Sequence, residues 1–295
     1  MFGRILMTLG LAILLASPAH AGFGLVLPDS PIVDEPEKTS LNLVICAIDP
    51  ATGAGIPIER PQVFTALRYS GDNMDRSEHL SVLDEVVAYG ARAWTTNISL
   101  PHPGVYQLVM QTKAGWVPEQ DKFVQYVTKV QIPAYGSAEG WDKPANISFE
   151  ISPLSRPFGL CSGMAFSGQA LFDGPPIPGA LIDVARLDPA IKPNVAQPED
   201  PNAPPQDDKA QPKAKKQDKQ PTPQPISAFG ATQQVKADSQ GVFTFVCPLP
   251  GWWAFSTSMA GDPLQDPEGK QKPLEIKTIF WVYMNDCPKT APSKK

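Results

Sequence analysis

Few side chains in this chain are suited to acid–base or metal chemistry. Only three histidines, His20, His79 and His102, occur in 295 residues. Histidine changes charge near neutral pH and is the commonest nitrogen ligand for metals, so little general acid–base capacity is available. His20 lies in Ala19-His20-Ala21. A cut after Ala19 makes His20 the first residue, and its amine and imidazole can then chelate a metal ion. The amine's ordinary pKa of about 7.7–8.0 lets it lose its proton for this near neutral pH. A cut after Ala21 discards the histidine. His102, between Pro101 and Pro103, stands where a turn enters a strand, as a ligand at the tip of a sandwich or as an exposed turn residue. His79 follows Asp75-Arg76-Ser77-Glu78 and is expected in water. Glu119, Asp121, Glu139 and Asp142 form an acidic group that can supply oxygen ligands or pair with bases. Trp141, Trp252, Trp253 and Trp281 offer flat faces to a sugar or to a core.

The four cysteines, Cys46, Cys161, Cys247 and Cys287, are not spaced like a zinc or redox motif. Their even number permits two disulfides in three pairings. A bridge between Cys161 and Cys247 is preferred, because both belong to the later half of the chain; buried free thiols are the alternative. Gly-x-Ser-x-Gly, His-Glu-x-x-His and Gly-x-x-x-x-Gly-Lys-Ser/Thr are all absent from the sequence. The formal charge of −5 argues against a nucleic-acid or anionic-membrane footprint, which needs a clustered basic face. No enzyme is expected.

The elements that must position these residues read as strands. The 34 prolines and 22 glycines break long helices and supply turns. Residues 1–21 have the form of a cleavable signal peptide: Arg4, an apolar stretch over 5–16, and small residues at Ala19 and Ala21. This predicts an exported, soluble, periplasmic protein in an oxidising compartment. Residues 22–38 read as an extended lead-in. Runs at 41–48, 62–69, 92–100, 105–111, 123–132 and 146–151 have strand length. Tyr106, Leu108 and Met110 alternate with polar Gln107 and Gln111, the period of a half-buried strand.

The pattern restarts near Pro153, with strands at 180–187, 242–246, 252–257 and 275–284. The last is apolar on both faces, so it should abut the first domain. Residues 189–225 are rich in Pro, Gln, Lys and Asp and nearly free of large apolar side chains. Such a segment buries too little to offset an ordering cost of about 1–2 kcal/mol per residue. The expectation is therefore all-β: two tandem β-sandwich domains, 22–152 and 153–295, the second carrying a disordered insertion at 189–225.

Two resemblances add to this reading. The turn Asp173-Gly174-Pro175-Pro176, with Gly241-Val242-Phe243 and Pro250-Gly251-Trp252, resembles a prealbumin-like or carboxypeptidase-regulatory-like sandwich. That module usually binds or spaces. Over nearly the whole mature chain, ordered motifs resemble a family of periplasmic proteins of uncharacterised domain type found with energy-coupling-factor nickel/cobalt transporters. The motifs are Phe23-Gly24-Leu25-Val26-Leu27-Pro28, Pro103-Gly104-Val105-Tyr106 and Trp116-Val117-Pro118-Glu119-Gln120-Asp121. Gly140-Trp141-Asp142-Lys143-Pro144, Pro153-Leu154-Ser155-Arg156-Pro157-Phe158-Gly159-Leu160 and Cys247-Pro248 before Gly251-Trp252-Trp253 complete the set.

The resemblance implies a non-catalytic accessory that assists nickel or cobalt uptake, with membrane transporter components as partners. It singles out Glu119 and Asp121 among the carboxylates. Asp49 stands where the family pattern tends to carry a histidine after its first strand, and Gly22 where it commonly carries one before Phe-Gly. With His20 and His102, read from the residues themselves, the candidate metal set is His20, Asp49, His102, Glu119 and Asp121. A different class of reading is a structural or glycan- or protein-binding module that uses no metal.

Overall fold

A computed structural model describes residues 22–35, 39–198 and 232–287. Eighteen strands, numbered in chain order, form three sheets among these residues. The first sheet runs β1 (Phe23–Pro28), β2 (Ser40–Ile48), β7 (Ala91–Ser99), β6 (Asp84–Ala88), with the short β3 (Gly55–Ile56) beside β2. A small sheet holds β11 (Phe149–Pro153), β13 (Ala165–Phe172) and β16 (Val242–Val246). Ten strands make the large sheet. In its first half β5 (Asn73–Glu78), β4 (Val63–Ser70), β8 (Gly104–Gln111) and β10 (Lys122–Ala134) lie side by side. Next to β10 come β18 (Gln271–Asn285), β17 (Gly251–Gln265), β14 (Leu181–Arg186) and β15 (Gln233–Lys236). Short β9 (Gly115–Val117) pairs with β10, and β12 (Leu160–Cys161) with β18.

The all-β sandwich expectation holds, and the two sandwiches turn out to share a sheet. β10 and β18 pair in parallel, from Phe123 opposite Leu274 to Val130 opposite Trp281. Successive side chains of a strand point to opposite faces, and here both faces are covered. Ile279 and Trp281 of β18, with Trp252 and Ala254 of β17, enter the core built against the first sheet. Phe280, Val282 and Met284, with Trp253 and Phe255, enter the core built against the small sheet. The two smaller sheets therefore cover opposite faces of the large one. A strand buried on both faces reads as a continuous apolar run, which is why 275–284 has no polar side. Burial of a large apolar side chain is worth about 1.5–3 kcal/mol, and Phe280 and Trp281 are both sealed from solvent.

The lead-in is corrected. Residues 23–28 form a full strand, β1, antiparallel to β2 with Phe23 opposite Ile48. β1 also lies across β10 and β18, where glycine permits the approach: a Cβ on Gly24 would sit 2.5 Å from Thr128 Oγ1 and 2.8 Å from Tyr126 Cβ. Trp281 Nε1 donates to the Gly24 carbonyl at 2.8 Å.

Three further expectations change. The boundary placed between 152 and 153 falls inside β11, which pairs with β13 from Phe149 opposite Phe172 to Pro153 opposite Gly168. The insertion does not begin at 189 as a loose segment. Ala196 exchanges two backbone hydrogen bonds with Val87 on the β6 edge, at 2.8 and 2.9 Å; residues 199–225 lie outside the described residues. The preferred disulfide is also wrong. Cys161 is bonded to Cys287, whereas Cys46 and Cys247 are free and buried. The pairing of β12 with the end of β18 puts Leu160 opposite Met284 and Cys161 opposite Asn285, which carries Cys161 to the chain's last described residue. Cys247 instead fills the second core.

Candidate functional site

The sequence-predicted ligands do not assemble into one site. Asp49 is buried and its carboxylate is spent on its own turn: Oδ1 accepts from the Ala51 N–H at 2.9 Å and Oδ2 from the Thr52 hydroxyl at 3.0 Å. His102 is exposed in the β7–β8 turn, where its backbone N–H and carbonyl meet the Tyr106 hydroxyl, each at 3.1 Å. Glu119 and Asp121 do share one feature, the 3-10 turn Pro118–Gln120 that leads into β10. Asp121 closes it in a left-handed conformation, φ 51°, and pairs with Lys272 Nζ at 2.5 Å. His20 lies outside the described residues. Among the described residues, no three His, Cys, Asp or Glu side chains are grouped to hold a metal ion. Trp252, Trp253 and Trp281 are buried core residues and offer no exposed face to a sugar.

A different set of residues converges at the end of the turn. Two cavities meet where β9 and β10 face β3 and the start of β1. One, of about 530 Å³, is walled by Ile56, Ile58, Trp116, Val117 and Val124, with Glu59, Arg92 and Glu119 at its polar margin. The other, of about 160 Å³, is lined by Gly22, Gln120, Lys122, Asp183, Glu275 and Lys277. Tyr126, Ile56, Val117 and Val124 belong to both walls. The turn Pro118–Gln120 thus puts Glu119 on one cavity and Gln120 on the other.

The smaller cavity carries the unusual electrostatics. Lys277 is buried, donates to the Gly22 carbonyl at 3.1 Å and stands 4.8 Å from the centre of the Phe23 ring. Burial holds its ammonium below the usual lysine range, partly offset by Glu275 and Asp183. Burial also pushes the Glu275 carboxyl up. A hydrogen bond from Lys122 Nζ at 2.5 Å, the charges of Lys277 and Lys122 and a bond from Ser258 outweigh that, and the net shift is downward. Tyr126 is buried, and its phenol is driven above the usual range by desolvation and by the nearby Glu275 charge.

None of Gly22, Lys122, Tyr126, Asp183, Glu275 or Lys277 was singled out from sequence as a site residue. One signal was available: Lys277 interrupts the apolar run 276–284, and a charge inside a doubly buried strand needs a partner.

The fold and this site define a rigid all-β sandwich protein whose accessible features are clefts at sheet junctions. The chain belongs to the family described as "Domain of unknown function (DUF4198)", whose model matches residues 19–261. No functionally curated protein matches it. Among solved structures it is similar to the D0-D1 domain of intimin, at 9% identity and TM-score 0.19 over 89% of this chain and 100% of that one. It is also similar to a marsupial T cell receptor, at 10% identity and TM-score 0.21 over 90% of this chain and 74% of that one. Similarity this distant carries no argument about a site. Among the described residues, no helix is long and apolar enough to cross a membrane.

Proposed function

We propose that the protein is a non-catalytic binding component of the periplasm that assists nickel or cobalt uptake and hands its cargo to membrane transporter components. Support comes from the signal-like leader, the ordered motif resemblance and the cleft around Tyr126. The carrying observation is that Gly22 and the Glu119 turn border adjoining cavities. His20 is two residues upstream of Gly22, and two extended residues span at most about 7 Å. In a chain that retains His20, its imidazole and amine are the proposed nitrogen donors and Glu119 the oxygen donor. Nickel and cobalt both suit imidazole nitrogen. Asp49 and Asp121 are committed to a turn and an ion pair and His102 lines neither cavity, which leaves His20 and Glu119 as the ligands to test.

Calorimetry with Ni²⁺ and Co²⁺ compares the chain beginning at His20 with the chain beginning at Gly22. Binding at micromolar concentration is expected for the first, weakened at least about tenfold in the second, a loss of about 1.4 kcal/mol. No heat from the chain that begins at His20 removes the metal-capture reading.

A second reading, contact with another protein or a glycan without metal, is favoured by an exposed apolar groove on the far half. It has a volume of about 760 Å³ and is lined by Phe172, Pro175, Pro176, Ile177, Leu181 and Met259, among others. Capture of a partner that is indifferent to metal and lost in Phe172→Asp/Leu181→Asp supports it.

A further inference from the structure

The small cavity beside Tyr126 has four charged groups, a tyrosine hydroxyl and one end of a strand, and the first residue of that strand's lead is Gly22. Gly22 is buried, although it directly follows the cleavage site expected after Ala21. Its carbonyl accepts from Lys277 Nζ at 3.1 Å. Its Cα hydrogen faces a filled wall: a Cβ there would run into the Tyr126 hydroxyl and lie 2.6 Å from Ile56 Cδ1. Glycine is thus demanded by close approach. Position 22 is held as firmly as a core residue.

We infer that this cavity is the seat of the chain's own processed N-terminus. Gly22 is the first residue of the mature protein, and its α-ammonium group takes Glu275, Asp183 and the Tyr126 hydroxyl as its acceptors. Three observations carry this. Gly22 and these three side chains line the same cavity of about 160 Å³. Tyr126 is 6% exposed, borders that cavity, and its hydroxyl is the atom nearest to a Cβ placed on Gly22. A phenol oxygen can accept a hydrogen bond from such an ammonium. The carboxylates are also underused. Glu275 takes Lys122 and Ser258, and Asp183 takes the Gln234 amide at 2.9 Å; each ionised carboxylate has about four acceptor positions, so both keep room for a further donor.

The groups facing the seat are Lys122 from β10, Glu275 and Lys277 from β18, and Asp183 from β14. Lys277 already donates to the Gly22 carbonyl, whereas Lys122 shares Glu275 with the ammonium. Removal of the leader then completes the fold: it adds an ammonium donor to the cavity and ties β1 to β10, β14 and β18 at one point.

The inference rests on the export reading and excludes His20 as a metal ligand of the mature protein, since cleavage before Gly22 removes it; the test is run with chelator present, so that its outcome does not depend on metal. Three chains of otherwise identical sequence are melted at pH 6.5: one with a free Gly22 amine, one N-acetylated at Gly22, and one extended by His20-Ala21. The free chain is expected to melt highest, by about 2–4 °C for each kcal/mol gained in a protein of this size. That advantage should shrink by at least half in Tyr126→Phe, which keeps the ring, and vanish in Asp183→Asn/Glu275→Gln. Intact mass of the secreted protein is expected to begin at Gly22. Equal melting of the three chains overturns the inference. So does an advantage that survives in Tyr126→Phe, or a secreted chain that begins elsewhere.

Discussion

Lys129 lies at the centre of the large sheet, 2% exposed, its Nζ bonded to Glu150 of β11 and 4.8 Å from the Phe280 ring centre. Glu150 also accepts weakly from the Ala145 N–H at 3.4 Å. One ion pair therefore joins β10 of the first sandwich, β11 of the second and the strand they share. Desolvating two charges offsets most of their attraction, but removing one partner leaves a bare charge inside. Glu150→Gln is expected to cost about 3–5 kcal/mol in urea unfolding, whereas Lys129→Met/Glu150→Leu should be neutral or stabilising by about 1–4 kcal/mol. Burial holds Lys129 below its usual 10.5 despite Glu150. The unfolded chain then binds more protons over the interval up to 10.5, so stability rises with pH there, and the double replacement removes that slope. In the sequence Lys129 is visible only as a charge inside the run 123–132, with nothing to name its partner. The metal candidates were chosen by side-chain type and by the motif resemblance. Burial and hydrogen bonding, which assign Asp49 to a turn and Asp121 to Lys272, have no signature in residue type.

The strands that were legible are those with alternation or an unbroken apolar run: β2, β4, β7, β8, β10, β14, β16 and β18, with β11 and β17 found in part. β1 was missed because Gly22, Gly24 and Pro28 look like punctuation. Its glycines instead let the strand lie on β10. β5 was missed because all six of its residues are exposed; it is an edge strand whose support is cross-strand, as in Arg68 with Asp75 at 2.5 Å. The parallel pairing of β10 with β18 joins segments about 150 positions apart, as Phe123 with Leu274, and no local pattern announces it. The disulfide follows from that pairing. Cys161 and Cys287 are 126 positions apart, and closing a loop of that length in the unfolded chain is worth up to about 5 kcal/mol. Cys161→Ser/Cys287→Ser is expected to lose about 2–5 kcal/mol in urea titration. Alkylation of the folded oxidised protein should leave Cys46 and Cys247 unmodified, because burial pushes both thiols up to about 12. Modification of either without denaturant contradicts their placement in the cores.

At the scale of the molecule, the sheet common to both sandwiches matters more than the count of strands. Tandem domains on a linker move independently by default. Here the large sheet is hydrogen-bonded across the junction, residues on alternate faces of β17 and β18 serve two cores, and a buried ion pair crosses the same place. A rigid frame of this kind fixes the clefts at its junctions, which suits a protein that presents a site and suits less well one that closes around a substrate. The two-sandwich content was readable from strand spacing. Its fusion was not, because it is made by the last strand returning beside a strand of the first half. Scanning calorimetry of the mature oxidised protein tests this fusion most directly. One transition is expected, with calorimetric and van't Hoff enthalpies equal; two resolved transitions, or a calorimetric enthalpy near twice the van't Hoff value, would show that the halves melt separately and that no shared sheet binds them.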